Sequence, residues 1–268
     1  KVVEVLGYPG EHAVEIHSIL AEYELPHQFD KVIEHAAKSI STEITKEEIA
    51  KRKDFRSVCT FTIDPHDAKD FDDALSVKKL KNGNWEIGIH IADVSYYVKP
   101  GSAIDTEAIS RATSVYLVDR TIPMLPEVLS NDLCSLRPNE DKYAFSAVFE
   151  MTEDAEVVKE WFGRTVIHSD RRFAYEEAQT RLETGEGDYS EQLQKFSHLA
   201  SKLREIRFKN GGIDFNTEEV RFDLDEDGYS SCQGDCNDLI PVINPDAPDI
   251  FGDGNDQNCD SVDGTDND

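Results

Sequence analysis

Five aspartates crowd into ten residues of the sequence, and this crowding limits what the chain can fold into more than any other feature does. The segment IDPHDAKDFDDA contains Asp64, Asp67, Asp70, Asp72 and Asp73, with Lys69 as the only Lys or Arg among them. Like charges this close repel one another. A folded protein must therefore either expose the carboxylates to water or neutralise them with a cation.

Three interpretations of this acidic segment are open from the residues alone. A solvated surface loop is the ordinary outcome for a run of charges, but here the carboxylates follow the strand-like run VCTFTID and alternate with Phe71 and Ala74. A calcium loop of the EF-hand type requires a central glycine and a distal glutamate, and the segment has neither. A magnesium site fits the residue types, because hard divalent cations prefer carboxylate oxygens and promote phosphodiester cleavage.

The pattern of apolar residues predicts a mixed α/β (α+β) fold. Strand-like alternation occurs over residues 58–64, 74–80, 85–98, 143–151 and 157–169. Helical patterns occur over residues 105–114, 174–183 and 189–210. Residues 121–142 contain three prolines and predict an extended loop.

His90 and Asp93, in IHIADVS, have side chains that could form a catalytic pair. On an alternating strand, however, residues three apart face opposite sides of the sheet. We therefore predict a buried or hydrogen-bonded structural role for both.

Charge is distributed unevenly along the chain, whose net charge is −27. From residue 223 onward there are 14 acidic residues and no Lys or Arg. A chain this acidic repels nucleic acid on average, so any action on RNA would need cations or a local basic channel. No apolar run approaches the roughly 18–20 residues of a membrane-spanning helix, and we expect no membrane span.

Cysteine usage changes at the same point. Cys59 and Cys134 are isolated in apolar surroundings, as buried intracellular thiols usually are. The remaining cysteines lie in a short Gly/Asp/Asn-rich tail, a composition typical of secreted modules: Cys232, Cys236 and Cys259. The sequence therefore predicts a boundary near residue 222, a cytoplasmic location for the part before it, and an extracellular type of composition after it.

Three long stretches of the sequence resemble the RNB catalytic domain of the RNase R/RNase II exoribonuclease family. They are TFTIDPHDAKDFDDALSV, IHIADVSYYVKPGSAID and ATSVYLVDRTIPMLPEVLSNDLCSLRPNEDKYAFS. The resemblance runs over residues 1–222. It implies a magnesium-dependent enzyme that hydrolyses single-stranded RNA from the 3′ end and releases nucleoside 5′-monophosphates.

The resemblance also implies which carboxylates bind Mg²⁺ and take part in catalysis. They are Asp64, Asp70, Asp72 and Asp73, among which we expect Asp72 to be the most sensitive to substitution. Asp67 belongs to the motif but is not counted as a ligand.

Two tyrosines match positions at which the family contacts RNA. Tyr116, in TSVYL, matches a tyrosine that packs on the RNA, and Tyr175, in RRFAYEEA, matches one that lies against the nucleotide at the cleavage site. Stacking suits an enzyme that must grip any sequence, because every base has a π face. From the residues alone, packing in the core is the alternative for both.

The resemblance divides the chain into three parts. Residues 1–22 are predicted to be the end of an OB-fold, cold-shock-like domain with a linker, and residues 23–222 a partial RNB catalytic domain. Residues 223–268 are predicted to be an irregular acidic tail. Segments that bring a glutamate and an arginine to the family's nucleotide pocket find no match here, so we expect an activity impaired by truncation.

The tail resembles the metal-binding (MopE-like) repeat of bacterial surface proteins, through DLDEDGYSSCQGDCND and NPDAPDIFGDGNDQNCDS. Asp223, Asp225 and Asp227, followed by a glycine, match the first half of a calcium loop. Asp235 or Asp238 would have to complete the coordination shell. The tail thus predicts Ca²⁺ binding, with a disordered acidic tail as the alternative.

Functions of different classes therefore compete. The first is a magnesium-dependent 3′-to-5′ exoribonuclease with single-stranded RNA as its partner, and the four-aspartate spacing within a long match favours it. The second is an extracellular calcium-binding surface module with an inert nuclease part, which the tail cysteines favour. The third is a fragment that binds RNA without cleaving it. The sequence does not identify any protein partner.

Overall fold

The computed structural model describes residues 5–8, 12–26, 28–117 and 120–213, together with Ala247 and Gln257. The chain divides into two compact units. The first contains Lys1–His27, Ser114–Ile122 and Phe215–Asp268, and the second contains Gln28–Thr113 and Pro123–Asp214. The calcium-binding positions predicted in the tail lie outside the described residues.

Nine strands occur in the described residues. In chain order they are β1 (Lys53–Asp54), β2 (Thr60–Asp64), β3 (Asp73–Lys79), β4 (Trp85–Ala92), β5 (Val115–Tyr116), β6 (Thr121–Ile122), β7 (Asp141–Met151), β8 (Val157–His168) and β9 (Arg171–Ala174).

Seven α-helices and one π-helix accompany these strands in the described part of the chain. The helices are α1 (His12–Glu22), α2 (Lys31–Lys38), α3 (Lys46–Ile49), α4 (Val94–Tyr97), α5 (Ala103–Arg111), α6 (Tyr175–Thr184) and α7 (Ser190–Lys209), and the π-helix is Val128–Leu133. None of these helices is both long enough and apolar enough to cross a membrane.

The first unit, where it is described, consists of α1 and the β5–β6 hairpin. Ile16 and Leu20 of α1 are buried together with Ile122 of β6. The hairpin pairs Val115 with Ile122 and Tyr116 with Thr121.

The second unit is built on a mixed seven-stranded sheet with the strand order β1-β8-β7-β4-β3-β2-β9. β2 pairs in parallel with β9 and β1 pairs in parallel with β8, whereas the other neighbours are antiparallel. The predicted mixed α/β class is confirmed. The β3–β4 hairpin turns between the two strand patterns of the sequence, with Gly83 at a φ of 91° that favours glycine.

Apolar residues from separate segments meet in the main core. Ile33 and Ala37 of α2 are buried with Leu129 and Leu133 of the π-helix and with Ile167 of β8. The π-helix corrects the prediction of an extended loop over residues 121–142. The loop prolines flank this helix rather than interrupt it, and burial of the two leucines stabilises it.

The strand predicted over residues 85–98 ends at Ala92 instead, because the next residue enters a buried ion pair. Asp93 and Arg52 approach to 2.8 Å, and both side chains are almost completely buried. Arg52 also donates to Glu48 at 2.9 Å and lies 4.3 Å from the centre of the Tyr143 ring. A buried charge is tolerated when it is paired in this way, so these contacts stabilise the turn into α4.

His90 is completely buried between two hydroxyls. Its Nδ1 lies 2.6 Å from Ser146 Oγ and its Nε2 lies 2.8 Å from Ser76 Oγ, so one ring nitrogen donates and the other accepts. Burial lowers the pKa of His90 from 6.5 to about 4. The predicted burial and pairing of His90 and Asp93 are confirmed.

The lowered pKa of His90 predicts an acid-labile fold. Between pH 6.5 and pH 4, His90 is protonated in the unfolded chain but stays neutral in the folded chain. Stability is therefore fully present above pH 6.5 and is lost as the pH falls through that window, by on the order of 3 kcal/mol. We expect the melting temperature to fall over this range in wild type and to fall less in His90→Gln.

The control for this titration is His198→Gln, since His198 is exposed on α7. Differential scanning fluorimetry from pH 7.5 to pH 4 measures all three proteins. An equally steep decline in His90→Gln and wild type would contradict the assignment to His90.

Candidate active site

The sheet brings the predicted carboxylates to one edge. Asp64 is the last residue of β2 and Asp73 is the first residue of β3. Because these strands are antiparallel neighbours, the end of one and the start of the other lie at the same edge. The connection between them, residues 65–72, carries Asp70 and Asp72 and is called the carboxylate loop below.

Asp64 is the most buried of the four aspartates, with 8% of its surface exposed. Its Oδ2 atom is buried without a hydrogen-bond partner, and the Oγ1 atom of Thr62 on the same strand is likewise buried without one. Desolvation raises the pKa of Asp64. The Thr62 side chain and the charge of Arg172 oppose that rise, whereas the charges of Asp73 and Asp70 add to it. A buried, unpaired carboxylate oxygen is costly and is an available cation ligand.

Asp72 is exposed, yet the neighbouring carboxylates affect the pKa of its side chain. Its pKa is raised by desolvation and by the charges of Asp70, Asp73 and Asp64, in that order. Its backbone is fixed, because the amide of Ala92 on β4 donates to the Asp72 carbonyl at 3.0 Å. The four carboxylates therefore lie close enough to repel one another.

Among the described residues, no three His, Cys, Asp or Glu side chains are already arranged as a metal site. The aspartates share one edge of the sheet, and their charges contribute to the raised pKa of Asp64 and of Asp72. Their chemistry nevertheless fits a hard divalent cation. All four offer carboxylate oxygens, and one of these oxygens is buried and unpaired.

Tyr175 lies beside this edge. It is the first residue of α6 and follows Ala174, which pairs with Asp64 in the parallel β2–β9 ladder. Its side chain is 55% exposed. Core packing, the alternative from sequence, is therefore wrong for Tyr175.

Tyr116 belongs to the other compact unit, on the β5–β6 hairpin. Its side chain is 69% exposed, so core packing is wrong for this residue as well. Both tyrosines present aromatic surface to solvent, as base stacking requires.

Two residues that contact the carboxylate loop are not predicted by the sequence pattern. Ser135 and Arg172 form hydrogen bonds with the loop backbone from segments distant in the chain. The sequence around Ser135 and Arg172 does not indicate these contacts, because they form only when β9 and the segment after the π-helix fold against β2. The predicted calcium ligands Asp223, Asp225, Asp227 and Asp235 lie outside the described residues, and Ca²⁺ binding stays a prediction.

Comparison with protein-family models gives two matches. The model described as RNB domain matches residues 52–243, and the model described as Cold shock domain matches residues 1–30. The first match extends past the boundary predicted near residue 222, and the exact domain limits stay predictions.

Curated relatives are similar over most of this chain. Ribonuclease R of Thermotoga maritima is 42% identical over 236 residues, which are 85% of this chain and 33% of the relative. The exosome complex exonuclease RRP44 of Mus musculus is 39% identical over 230 residues, which are 85% of this chain and 24% of the relative. The chain thus spans about a third of the length of the first relative and about a quarter of the length of the second.

Solved structures have the same fold. Mycoplasma genitalium RNase R in complex with ribose methylated single-stranded RNA matches with a TM-score of 0.78 and 30% identity, over 84% of this chain and 36% of that one. Yeast Ssd1, described as a pseudonuclease, matches with a TM-score of 0.65 and 22% identity, over 77% of this chain and 26% of that one. The second likeness is one of fold alone.

The raised pKa of Asp64 predicts that the site costs stability. The folded chain binds a proton at Asp64 more readily than the unfolded chain does. The stability that this protonation contributes is present below the ordinary carboxyl value of 3.8 and is lost as the pH rises through the raised pKa. We expect Asp64→Asn to be more stable than wild type at pH 7 by about 1 kcal/mol, or about 2–4 °C in melting temperature.

Thermal melts without divalent cations measure this effect, and the gain should disappear at pH 3. Asp67→Asn is the matched control, because Asp67 lies exposed in the same loop, and we expect it to change the stability by less than about 0.5 kcal/mol. A lower melting temperature for Asp64→Asn at pH 7 would show that the carboxylate stabilises the fold instead.

Proposed function

The chain belongs to the RNB domain family, and from that membership we propose that it hydrolyses single-stranded RNA from the 3′ end and releases nucleoside 5′-monophosphates. The predicted family resemblance and the cold-shock-like N-terminus are confirmed by the two family matches. One observation carries the proposal: the sheet gathers four mutually repelling carboxylates at one edge and leaves a buried carboxylate oxygen of Asp64 unpaired.

Mg²⁺ is the proposed cofactor, held by Asp64, Asp70, Asp72 and Asp73. When bound, the ion would activate water and stabilise the leaving oxygen of a phosphodiester. The aspartates supply negative charge where a cation must bind next to an anionic backbone. Their mutual repulsion makes that edge receptive to a cation, because binding relieves the repulsion.

The two tyrosines would hold the RNA. Tyr175 lies at the carboxyl end of β9, where Ala174 pairs with Asp64, so a base stacked on its ring would place the adjacent phosphate near the carboxylates. Tyr116 would stack on another base of the same RNA molecule. Stacking compensates in part for the net charge of −27, which repels the phosphate backbone.

The proposed activity is tested by incubating 5′-labelled single-stranded RNA with the full chain and Mg²⁺. We expect a ladder of products that shorten from the 3′ end and that EDTA abolishes. Asp72→Asn should lower the rate by about a hundredfold or more, the loss of about 2.7 kcal/mol of transition-state stabilisation. Asp67→Asn, in the same loop, should stay within a few-fold of wild type.

Two results would contradict the proposal. RNA that binds to the folded chain without cleavage would identify a binding fragment, the third function considered from sequence. Cleavage that persists in both EDTA and Asp72→Asn would place the chemistry elsewhere or in a contaminant.

The role of Tyr175 predicts a loss of binding rather than of chemistry. Tyr175→Ala should raise KM for single-stranded RNA by about ten- to a hundredfold, because stacking contributes about 1–3 kcal/mol per base. Tyr175→Phe keeps the ring and should stay close to wild type. Steady-state kinetics at saturating Mg²⁺ separates KM from kcat, and an unchanged KM in Tyr175→Ala would rule out the stacking role.

A further inference from the structure

The carboxylate loop carries two of the four aspartates, and its conformation decides where they point. Asp64 and Asp73 belong to strands and are held by the sheet. Asp70 and Asp72 depend instead on the contacts that hold the loop. The inference below rests on the proposed function, because it concerns the same cation site.

Ser135 holds the peptide groups on both sides of Asp70. Its hydroxyl accepts a hydrogen bond from the Phe71 amide at 3.0 Å and donates one to the Lys69 carbonyl at 3.1 Å. Ser135 is completely buried, and the amide of the next residue, Leu136, donates to the Phe71 carbonyl at 2.7 Å. Because Lys69 and Phe71 flank Asp70, one hydroxyl fixes the backbone from which this carboxylate projects.

Arg172 holds the loop at its start. It lies on β9, and its Nη2 donates to the carbonyl of Pro65 at 2.6 Å and to that of His66 at 2.7 Å. The guanidinium also lies over the Phe71 ring, 5.5 Å from its centre. A single planar group therefore contacts the loop at both ends, which a flexible lysine ammonium does not reproduce.

We propose that Ser135 and Arg172 are positioning residues that hold the carboxylate loop in the conformation that binds the divalent cation. Both residues contact the backbone of the loop, and Arg172 also acts on Asp64 through its charge, which Arg172→Lys keeps. Partners of this kind, one contact away from a metal ligand, typically change metal affinity by about 10–100-fold when they are removed. The effect should therefore appear in cation affinity and not only in stability.

Two variants separate positioning from general stability. Ser135→Ala removes both hydroxyl hydrogen bonds without adding volume. Arg172→Lys keeps the positive charge at a half-buried site and removes the planar fork, so it stays informative if the buried Ser135 variant does not fold. The matched control is Ser130→Ala, because Ser130 lies in the π-helix and its hydroxyl donates to the adjacent Asn131 side chain at 3.1 Å.

Isothermal titration of Mg²⁺ into each full-length variant, below its melting temperature, measures the affinity directly and without RNA. We expect Ser135→Ala and Arg172→Lys to bind Mg²⁺ about tenfold more weakly or worse, and Ser130→Ala to bind as wild type does. The Mg²⁺ concentration for half-maximal RNA cleavage should shift by the same factor.

Each other outcome is decisive. If wild type binds Mg²⁺ and both variants bind it equally well, the positioning roles are overturned while the proposed function stands, even if both variants are less stable. If only one variant loses affinity, the inference fails for the other residue. If wild type binds no Mg²⁺ and cleaves no RNA, the proposed function fails and this inference fails with it.

Discussion

Repulsion among carboxylates at one edge of a sheet is the constraint on which the rest of the structure depends. The antiparallel pairing of β2 and β3 sets the edge at which Asp64 and Asp73 must lie, and the connecting loop adds Asp70 and Asp72. Burial of Asp64 increases the cost, because one of its oxygens has no hydrogen-bond partner. A cation that binds there relieves this repulsion, so the stability that the folded chain lost at the site becomes binding free energy for the cation. Such an exchange of stability for function is common in proteins.

The interior of the second unit contains buried polar groups that contact one another across the sheet. Arg52 is buried among Asp93, Glu48 and the Tyr143 ring, and it links α3 to the centre of the sheet. His90 joins Ser76 on β3 to Ser146 on β7 through its two ring nitrogens. These groups fix the strands relative to one another, so the carboxylate edge is held by a rigid base. The price is sensitivity to acid, since protonated His90 does not fit its site.

The sequence predicts local features well and distant contacts poorly. Alternating residues mark β2, β3, β7 and β8, and the last helix, Ser190–Lys209, lies within the helical pattern predicted over residues 189–210. The end of β4 is wrong because Asp93 pairs with Arg52, forty-one positions earlier in the chain, and no local pattern records that partner. The π-helix is missed because its leucines are buried by α2 and β8, which overrides the proline content of the segment.

The candidate site shows the same division. Carboxylate crowding makes a metal site one of three interpretations, and the family resemblance names the four candidate ligands and the two tyrosines. Ser135 and Arg172 have no signal in the sequence, because a buried serine and a strand arginine are ordinary residues until the fold sets them against residues 65–71. The candidate ligands are thus named from sequence and stay predictions, whereas the contacts that Ser135 and Arg172 make with the loop are visible only in the structure.

The most direct test of the central claim is a crystal structure of the chain with Mn²⁺, which replaces Mg²⁺ and scatters anomalously. An anomalous peak within coordination distance of Asp64, Asp70, Asp72 and Asp73, lost in Asp72→Asn crystals, is the predicted result. A well-ordered carboxylate loop with no peak at millimolar Mn²⁺, or a peak bound only elsewhere on the chain, would contradict it.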